Sequence, residues 1–250
     1  MVRERRETVV ITGASAGVGR ATARAFARQG ARIGLIARGR AGLEAARREV
    51  VELGGEALVV PLDMANAEEV ERAAEKIEAE FGPIDIWINS AMVTVMAPIK
   101  ETTAEEFKRV MEVNYLGYVY GTQSALRRML ARDRGVIVQV SSALAFRSIP
   151  LQSAYCASKH AIKGFTESLR TELMHDESNV HVTMVHMPAL NTPQFDWSRT
   201  RLPNKPQPVP PIYQPEVAAD AIVWAAHHRR REITVGQSSL RAIYGNKVSA

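Results

Sequence analysis

The sequence predicts an α/β fold, a doubly wound parallel sheet of about seven strands with helices on both faces. Three observations carry that expectation. Short runs rich in β-branched residues alternate along the chain with single stretches of helical periodicity, the order that βαβ crossovers produce. The run Val136 to Val140 is apolar almost throughout rather than alternating, as a strand covered on both sides must be. A glycine-rich turn follows the first apolar run directly, at the end of the strand where an open sheet of this kind takes its ligand. The 250 residues suffice for one large domain and show no break in composition, so residues 1–250 read as a single domain.

Thr8 to Ile11 is the first strand. Arg20 to Gln29 follows as a helix, with Ala21, Ala25 and Phe26 on one face and Gly30 just past its end. Arg32 to Ala37 is the second strand, and Gly42 to Leu53 a helix that stops at Gly54-Gly55. Ala57 to Leu62 is the third strand. Asn66 caps the next helix, with Glu69 three residues on as its reciprocal partner, and Phe81-Gly82-Pro83 ends it. Ile84 to Ile88 is the fourth strand. Thr103 and Glu106 form a second capping box, which opens a long helix towards Met129. Gly135 to Val140 is the fifth strand, about Ser153 to His175 a helix, and Val180 to Val185 the sixth strand. A loop at about 190–215 follows, in which Pro203 to Pro215 holds six of the chain's twelve prolines. It reads equally as a stiff connection and as a substrate lid or interface arm. A helix at about Glu216 to His227 and a short strand, Ile233 to Val235, complete the pattern.

Composition narrows the function classes. No apolar run is long enough to span a bilayer, and the polar N-terminus lacks the apolar stretch of a signal peptide. The single cysteine, Cys156, excludes an internal disulfide and a cysteine-based zinc site. Together these favour the cytoplasm and no membrane partner. The net charge of +5 raises a nucleic-acid partner. The dense basic runs are only Arg3 to Arg6 and Arg229 to Arg231, with no interleaved aromatics for base stacking, so a solvated basic surface is expected instead. The six histidines make no ligand pattern with carboxylates, and no metal site is expected.

The turn Thr12-Gly13-Ala14-Ser15-Ala16-Gly17-Val18-Gly19 opens the first helix. Free amides and the helix dipole there suit a pyrophosphate, and glycine lets the backbone come close to it. Gly13, Ser15, Ala16, Gly17, Val18 and Gly19 are therefore candidate cofactor contacts. The spacing is Gly-x-x-x-Gly-x-Gly, neither the usual dinucleotide fingerprint nor a Walker A.

That spacing resembles the short-chain dehydrogenase/reductase family, and further motifs extend the resemblance over nearly the whole chain. Asn89-Ser90-Ala91 follows the fourth strand, Asn114 lies in the next helix, Ser142 follows the fifth strand, and Tyr155-Cys156-Ala157-Ser158-Lys159 gives Tyr-x-x-x-Lys. The resemblance implies a Rossmann-like fold, a nicotinamide cofactor, and a homotetramer or homodimer. It also implies that Asn89, Ser90 and Ala91 flank the cofactor, that Asp63 contacts adenine with the Met64 backbone alongside, and that Pro188 and Thr192 line the cofactor site, with Thr192 holding the carboxamide. Ala189 stands where the family has glycine, and the C-terminus lacks the usual Asp-Gly-Gly segment.

The second strand ends at Ala37 and Arg38 follows, where an acidic residue would bond both ribose hydroxyls of NAD. Arginine instead makes charge-assisted contacts to phosphate, so Arg38, with Ser15, points to NADP(H), and NAD is the less favoured cofactor. Many NADP-preferring relatives carry a basic residue where this chain has Ala16.

Tyr155 and Lys159 lie one helical turn apart on one face. A nearby ammonium favours phenolate, so Lys159 is expected to lower the Tyr155 pKa. Tyr155 then serves as general acid in carbonyl reduction and as base in alcohol oxidation. Ser142 donates to the substrate oxygen, with Ser141 as the other candidate. The family implies that Lys159 also holds the nicotinamide ribose, and that Asn114 kinks its helix and holds a water leading from Lys159 to solvent. Val93 to Ile99, Ala143 to Pro150 and Leu190 to Pro211 are the expected pocket walls. The stripe Ala157, Ala161 and Phe165 is core or subunit interface. Other readings are a non-catalytic nicotinamide-nucleotide-sensing regulator on the same fold, opposed by the intact Asn114, Ser142, Tyr155 and Lys159, and a nucleic-acid binder, which rests on pI alone.

Overall fold

A computed structural model describes residues 6–248. The basic run that begins at Arg3 lies outside the described residues except for Arg6, which pairs with Glu56 at 2.6 Å. The chain runs β1 (Thr8–Thr12), α1 (Gly17–Ala27), β2 (Arg32–Ala37), α2 (Arg40–Glu52), β3 (Glu56–Pro61), α3 (Ala67–Phe81), β4 (Ile86–Asn89) and β5 (Val95–Met96). It continues with α4 (Ala104–Met111), α5 (Gly117–Leu130), β6 (Val136–Ser142), α6 (Ser153–His175), β7 (His181–Met187), α7 (Gln194–Trp197), β8 (Arg199–Thr200), α8 (Pro215–His227), β9 (Glu232–Thr234) and α9 (Gln237–Val248).

Seven strands form one parallel sheet in the order β3-β2-β1-β4-β6-β7-β9, as expected from the alternation of apolar runs and helices. The chain moves outward from β1 to β3 and then crosses to the other side of β1. The order therefore reverses between β1 and β4, and a crevice opens at their carboxyl ends.

Both faces of the sheet are buried. Val9 and Ile11 pack towards α1, α2 and α8 with Phe26, Leu43 and Ile222. Val10, between them, packs towards α3, α5 and α6 with Ile77, Met129 and Leu169. Side chains along a strand alternate in direction, so a strand covered on both sides needs an apolar residue at each position.

The helix ends follow local chemistry. Thr103 and Glu106 satisfy each other's amides in a full capping box. Asn66 accepts from the Glu69 amide at 3.1 Å, but the Glu69 carboxylate turns to the Asp63 amide instead, so only half of the expected box forms.

Three segments depart from expectation. The long helix towards Met129 is interrupted by a wide helical turn, Glu112–Leu116, between α4 and α5. Its cause is Asn114, whose amide pairs with the main chain of Val93 on both sides: the Val93 N–H donates to Oδ1 at 2.8 Å, and Nδ2 donates to the Val93 carbonyl at 2.9 Å. The loop after β7 contains a strand that the apolar pattern does not mark, β8, which pairs with β5 through Val95–Arg199 and Met96–Thr200. The C-terminal segment forms α9, tied down where Asn246 donates to the Phe146 carbonyl at 2.9 Å. Among the described residues no helix is long and apolar enough to cross a membrane.

Candidate active site

The crevice at the strand reversal begins with the glycine turn. Gly13 has φ +71°, and a Cβ there would lie 2.8 Å from the Ala91 Cα. Gly17 has φ +52°, and a Cβ there would meet the Thr192 methyl at 3.3 Å. The turn thus closes against the exit of β4 on one side and the exit of β7 on the other, an approach that only glycine allows. Thr12 pins the first contact by accepting from the amides of Ser90 and Ala91 at 2.9 and 3.1 Å. Helix α1 starts at Gly17, three residues before the sequence pattern suggests, and the Ala16 side chain offers it no cap. The first-turn amides of α1 are therefore directed at the crevice without a side-chain partner, which suits an anion.

Arg38 follows β2 on the surface and makes no hydrogen bond or ion pair with the described residues. Arg40 instead pairs with Glu44 at 3.8 Å. Ser15 sits against the start of α2, where a Cβ on Gly42 would lie 3.0 Å from its own Cβ. Asp63, expected at the adenine, is engaged within the protein: it accepts from the Ala65 amide at 3.0 Å and pairs with Arg109 of α4. Burial pushes its carboxyl upward, but those bonds, helped by Arg38 nearby, outweigh burial and hold it below its ordinary value. Met64 is buried against Gly117.

Asn89 is fully buried, and its side chain is spent on the interior. It accepts from Trp87 Nε1 at 2.9 Å, and its amide donates to Gln139 at 2.9 Å and Thr122 at 3.1 Å. The Asn89 side chain is therefore not available to a ligand in the crevice. Pro188 and Thr192 follow β7, with Thr192 lying over Gly17. Ala189, which replaces the family's glycine, accepts from the Tyr213 amide at 3.0 Å and joins the proline-rich segment to this exit.

Tyr155 and Lys159 stand in the first two turns of α6, and Ser142 is the last residue of β6. The Ser142 hydroxyl accepts from the Leu144 amide at 3.1 Å and hydrogen-bonds the Tyr155 phenol. Lys159 is 2% exposed; its Nζ lies 5.5 Å from the centre of the Tyr155 ring and donates to the Val140 carbonyl at 2.9 Å. Asn114 joins the group through Ser158, to which its amide donates at 3.2 Å. Ser141, the other candidate serine, is buried and its hydroxyl has no partner among the described residues.

The expected lowering of the Tyr155 pKa does not occur in the protein alone. Burial pushes the phenol up to about 12, against the pull of the Ser142 hydrogen bond. Burial pushes Lys159 down to about 7. The reason is geometric: the ammonium lies over the ring and bonds inward, so desolvation outweighs attraction at the hydroxyl.

Two residues near the site carry no mark in the sequence pattern. Tyr118 of α5 accepts from Lys159 Nζ at 3.4 Å and donates to the Val140 carbonyl at 3.0 Å. Arg109 neutralises Asp63. A buried tyrosine on a helix reads as core, and an arginine on α4 as solvated surface. Only the spacing of Tyr118, four residues after Asn114 and so on the same helix face, hints at its place.

Residues 7–201 match the short chain dehydrogenase family. An uncharacterised oxidoreductase of Bacillus subtilis, YxnA, is 35% identical over 93% of this chain and 66% of its own length. A fatty acyl-CoA reductase of Acinetobacter baylyi is 30% identical over 95% of this chain and 78% of its own. A human dehydrogenase/reductase, SDR family member 7, is 38% identical over 66% of this chain and 50% of its own. The chain thus spans half to about two thirds of the length of the first and third of these relatives. Among solved structures, an alcohol dehydrogenase of Thermococcus sibiricus complexed with 5-hydroxy-NADP superposes with a TM-score of 0.79 at 27% identity, over 92% of this chain and 96% of that one. A short chain dehydrogenase of Mycobacterium paratuberculosis bound to NAD superposes with a TM-score of 0.82 at 25% identity, over 94% and 98%.

Proposed function

The chain belongs to the short chain dehydrogenase family, and from that premise we propose that it transfers a hydride between NADP(H) and a carbonyl or secondary alcohol substrate. The observation that carries this reading is the Tyr155 phenol bonded to Ser142, with the Lys159 ammonium over its ring, at the carboxyl edge beside the glycine turn.

The crevice fits a nicotinamide dinucleotide. Uncapped amides at Gly17 to Gly19 would hold the pyrophosphate, and Thr192, which packs over Gly17, would hold the carboxamide. Arg38, which has no hydrogen-bond or ion-pair partner among the described residues, would hold a 2′-phosphate, to which Ser15 would add a hydroxyl. This supports NADP(H) over NAD(H) in a family whose members, by the two solved relatives, take either.

When bound, the reduced cofactor supplies the hydride. The protein supplies the proton and its control. In reduction Tyr155 gives its phenolic proton to the substrate oxygen while Ser142 donates a hydrogen bond to the same oxygen; in oxidation the Tyr155 phenolate takes the alcohol proton, and Ser142 again donates to that oxygen as charge develops on it. The phenolate left on Tyr155 is stabilised by Lys159, whose cost of protonation in the buried site is set by burial itself. Asn114 holds the α4–α5 turn and the Val93 loop so that Ser158 and Lys159 keep their place on α6. Gln152 donates to Thr94 at 3.2 Å and closes the substrate side between the β4 and β6 exits.

The test is a cofactor-resolved screen. Wild-type protein with NADPH should consume reduced cofactor with at least one member of a panel of ketones, aldehydes, sugars, steroids and acyl thioesters. No consumption with any member and either cofactor would remove the enzymatic reading. We also propose, from the family resemblance, that the folded chain is a single domain acting as a homotetramer or homodimer; sedimentation equilibrium decides it.

A further inference from the structure

We propose that Tyr118 is a positioning residue for Lys159: its phenol oxygen fixes the ammonium against the Val140 carbonyl, so that the one remaining N–H is directed at the reaction centre. The inference rests on the reading of Lys159 as the cation beneath Tyr155.

An ammonium has three N–H donors and no acceptor. Two are accounted for inside the protein, one to the Val140 carbonyl at 2.9 Å and one to Tyr118 Oη at 3.4 Å. Because Tyr118 Oη accepts from the ammonium, its own hydrogen is free to go to the Val140 carbonyl, 3.0 Å away. Three groups from α5, β6 and α6 thus close a ring of hydrogen bonds in the interior. Tyr118 is 1% exposed and Lys159 2%, so water does not compete for these bonds.

The Tyr118 side also gives the cation an aromatic face. Lys159 Nζ lies 5.0 Å from the centre of the Tyr118 ring and 5.5 Å from that of Tyr155, so it sits between two phenols. The groups facing it are Tyr118 from α5, Tyr155 from its own helix and the Val140 carbonyl from β6. No carboxylate pairs with it among the described residues. Tyr118 itself is anchored from the far side, where Asn89 donates to its carbonyl at 3.4 Å. Burial, with Tyr155 nearby, pushes the Tyr118 phenol well above its ordinary pKa, which keeps it a neutral hydrogen-bonding group at any working pH.

Tyr118→Phe keeps the ring and removes the oxygen. The ammonium then loses an acceptor, its charged form is disfavoured, and its pKa falls. The measurement is the titration of Lys159 by nitrogen-15 NMR of the side-chain amines, tractable with seven lysines in the chain and assigned with Lys159→Met. In wild type the midpoint should lie near 7, and in Tyr118→Phe it should fall by about one unit or more, tenfold in proton affinity. Turnover should fall about tenfold or more in kcat, with the matching limb of the pH profile displaced the same way. Tyr120→Phe, on the same helix but outside the ring, should move neither.

An unchanged midpoint and pH profile in Tyr118→Phe would overturn the positioning role. A displaced midpoint in a protein that turns over no carbonyl with either cofactor would support the role and sink the proposed function alone. If Tyr118→Phe does not fold, Tyr118→Met, whose flexible side chain fills the same slot, is read by the same titration.

Discussion

Arg201 Nη2 donates to Glu106 Oε1 at 2.9 Å, and through this bond the segment after β7 is tied to the first turn of α4. Arg199 adds a second contact to the same oxygen at 3.4 Å, and the Arg201 amide bonds the Met96 carbonyl at 3.1 Å. The start of the proline-rich region is thus clamped beside β5, one of the expected walls of the substrate pocket.

The clamp has a pH signature. The Arg201 side chain and the Thr103 amide hold Glu106 at about 2, below the ordinary carboxyl value of 4.5. For a depressed carboxyl, the stabilisation is complete above the unfolded value and is lost as pH falls through the folded one. The clamp should therefore be intact at neutral pH and weaken between about 4.5 and 2. Limited proteolysis within 197–212 should quicken over that window in wild type. Glu106→Gln should cleave severalfold faster already at neutral pH and lose the dependence on acid; equal rates for the two proteins at neutral pH would rule the clamp out.

Arg38→Ala tests the cofactor assignment. A hydrogen bond to a charged group contributes about 1.5–3 kcal/mol, so NADPH should bind about 10–150-fold more weakly. NADH, which has no 2′-phosphate, should change by less than about twofold. Fluorescence titration of both cofactors gives the answer, and equal losses for the two would assign the 2′-phosphate elsewhere.

The glycine turn can be tested through stability. Gly13→Ala meets both an unfavourable φ of +71° and the Ala91 Cα at 2.8 Å. Gly30→Ala has a similar φ of +75° but no atom within 4 Å. Strain alone costs about 1–3 kcal/mol, and overpacking adds about the same again. Chemical denaturation should therefore show Gly13→Ala to be the less stable by about 1 kcal/mol or more. If the two variants lose equal stability, the turn is not packed against the β4 exit.

Much of the molecule is readable from sequence because a few rules act alone there. The central strands, such as Val9-Val10-Ile11, are covered on both faces, so their apolar runs are unbroken. Thr103 and Glu106 announce their helix by local hydrogen bonding. Tyr155 and Lys159 keep a helical spacing that brings them together whatever surrounds them. Elsewhere the deciding partner is distant in sequence. Asn114 breaks its helix because Val93 lies opposite, and Arg199 becomes a strand residue because Val95 lies beside it. Asn89 carries a family motif yet turns inward to Gln139, fifty residues away. The inverted pKa order of Tyr155 and Lys159 has the same origin, since spacing gives their proximity but not their burial.

In the proposed reaction the Tyr155 hydroxyl delivers the proton to the substrate oxygen. Tyr155→Phe removes that hydroxyl and leaves the ring over Lys159 in place. With a substrate identified by the screen, its kcat with NADPH should fall by about 10²–10⁴, the usual worth of a general acid, while the NADPH dissociation constant stays within about threefold of wild type. A variant that keeps more than half of the wild-type kcat would contradict the account.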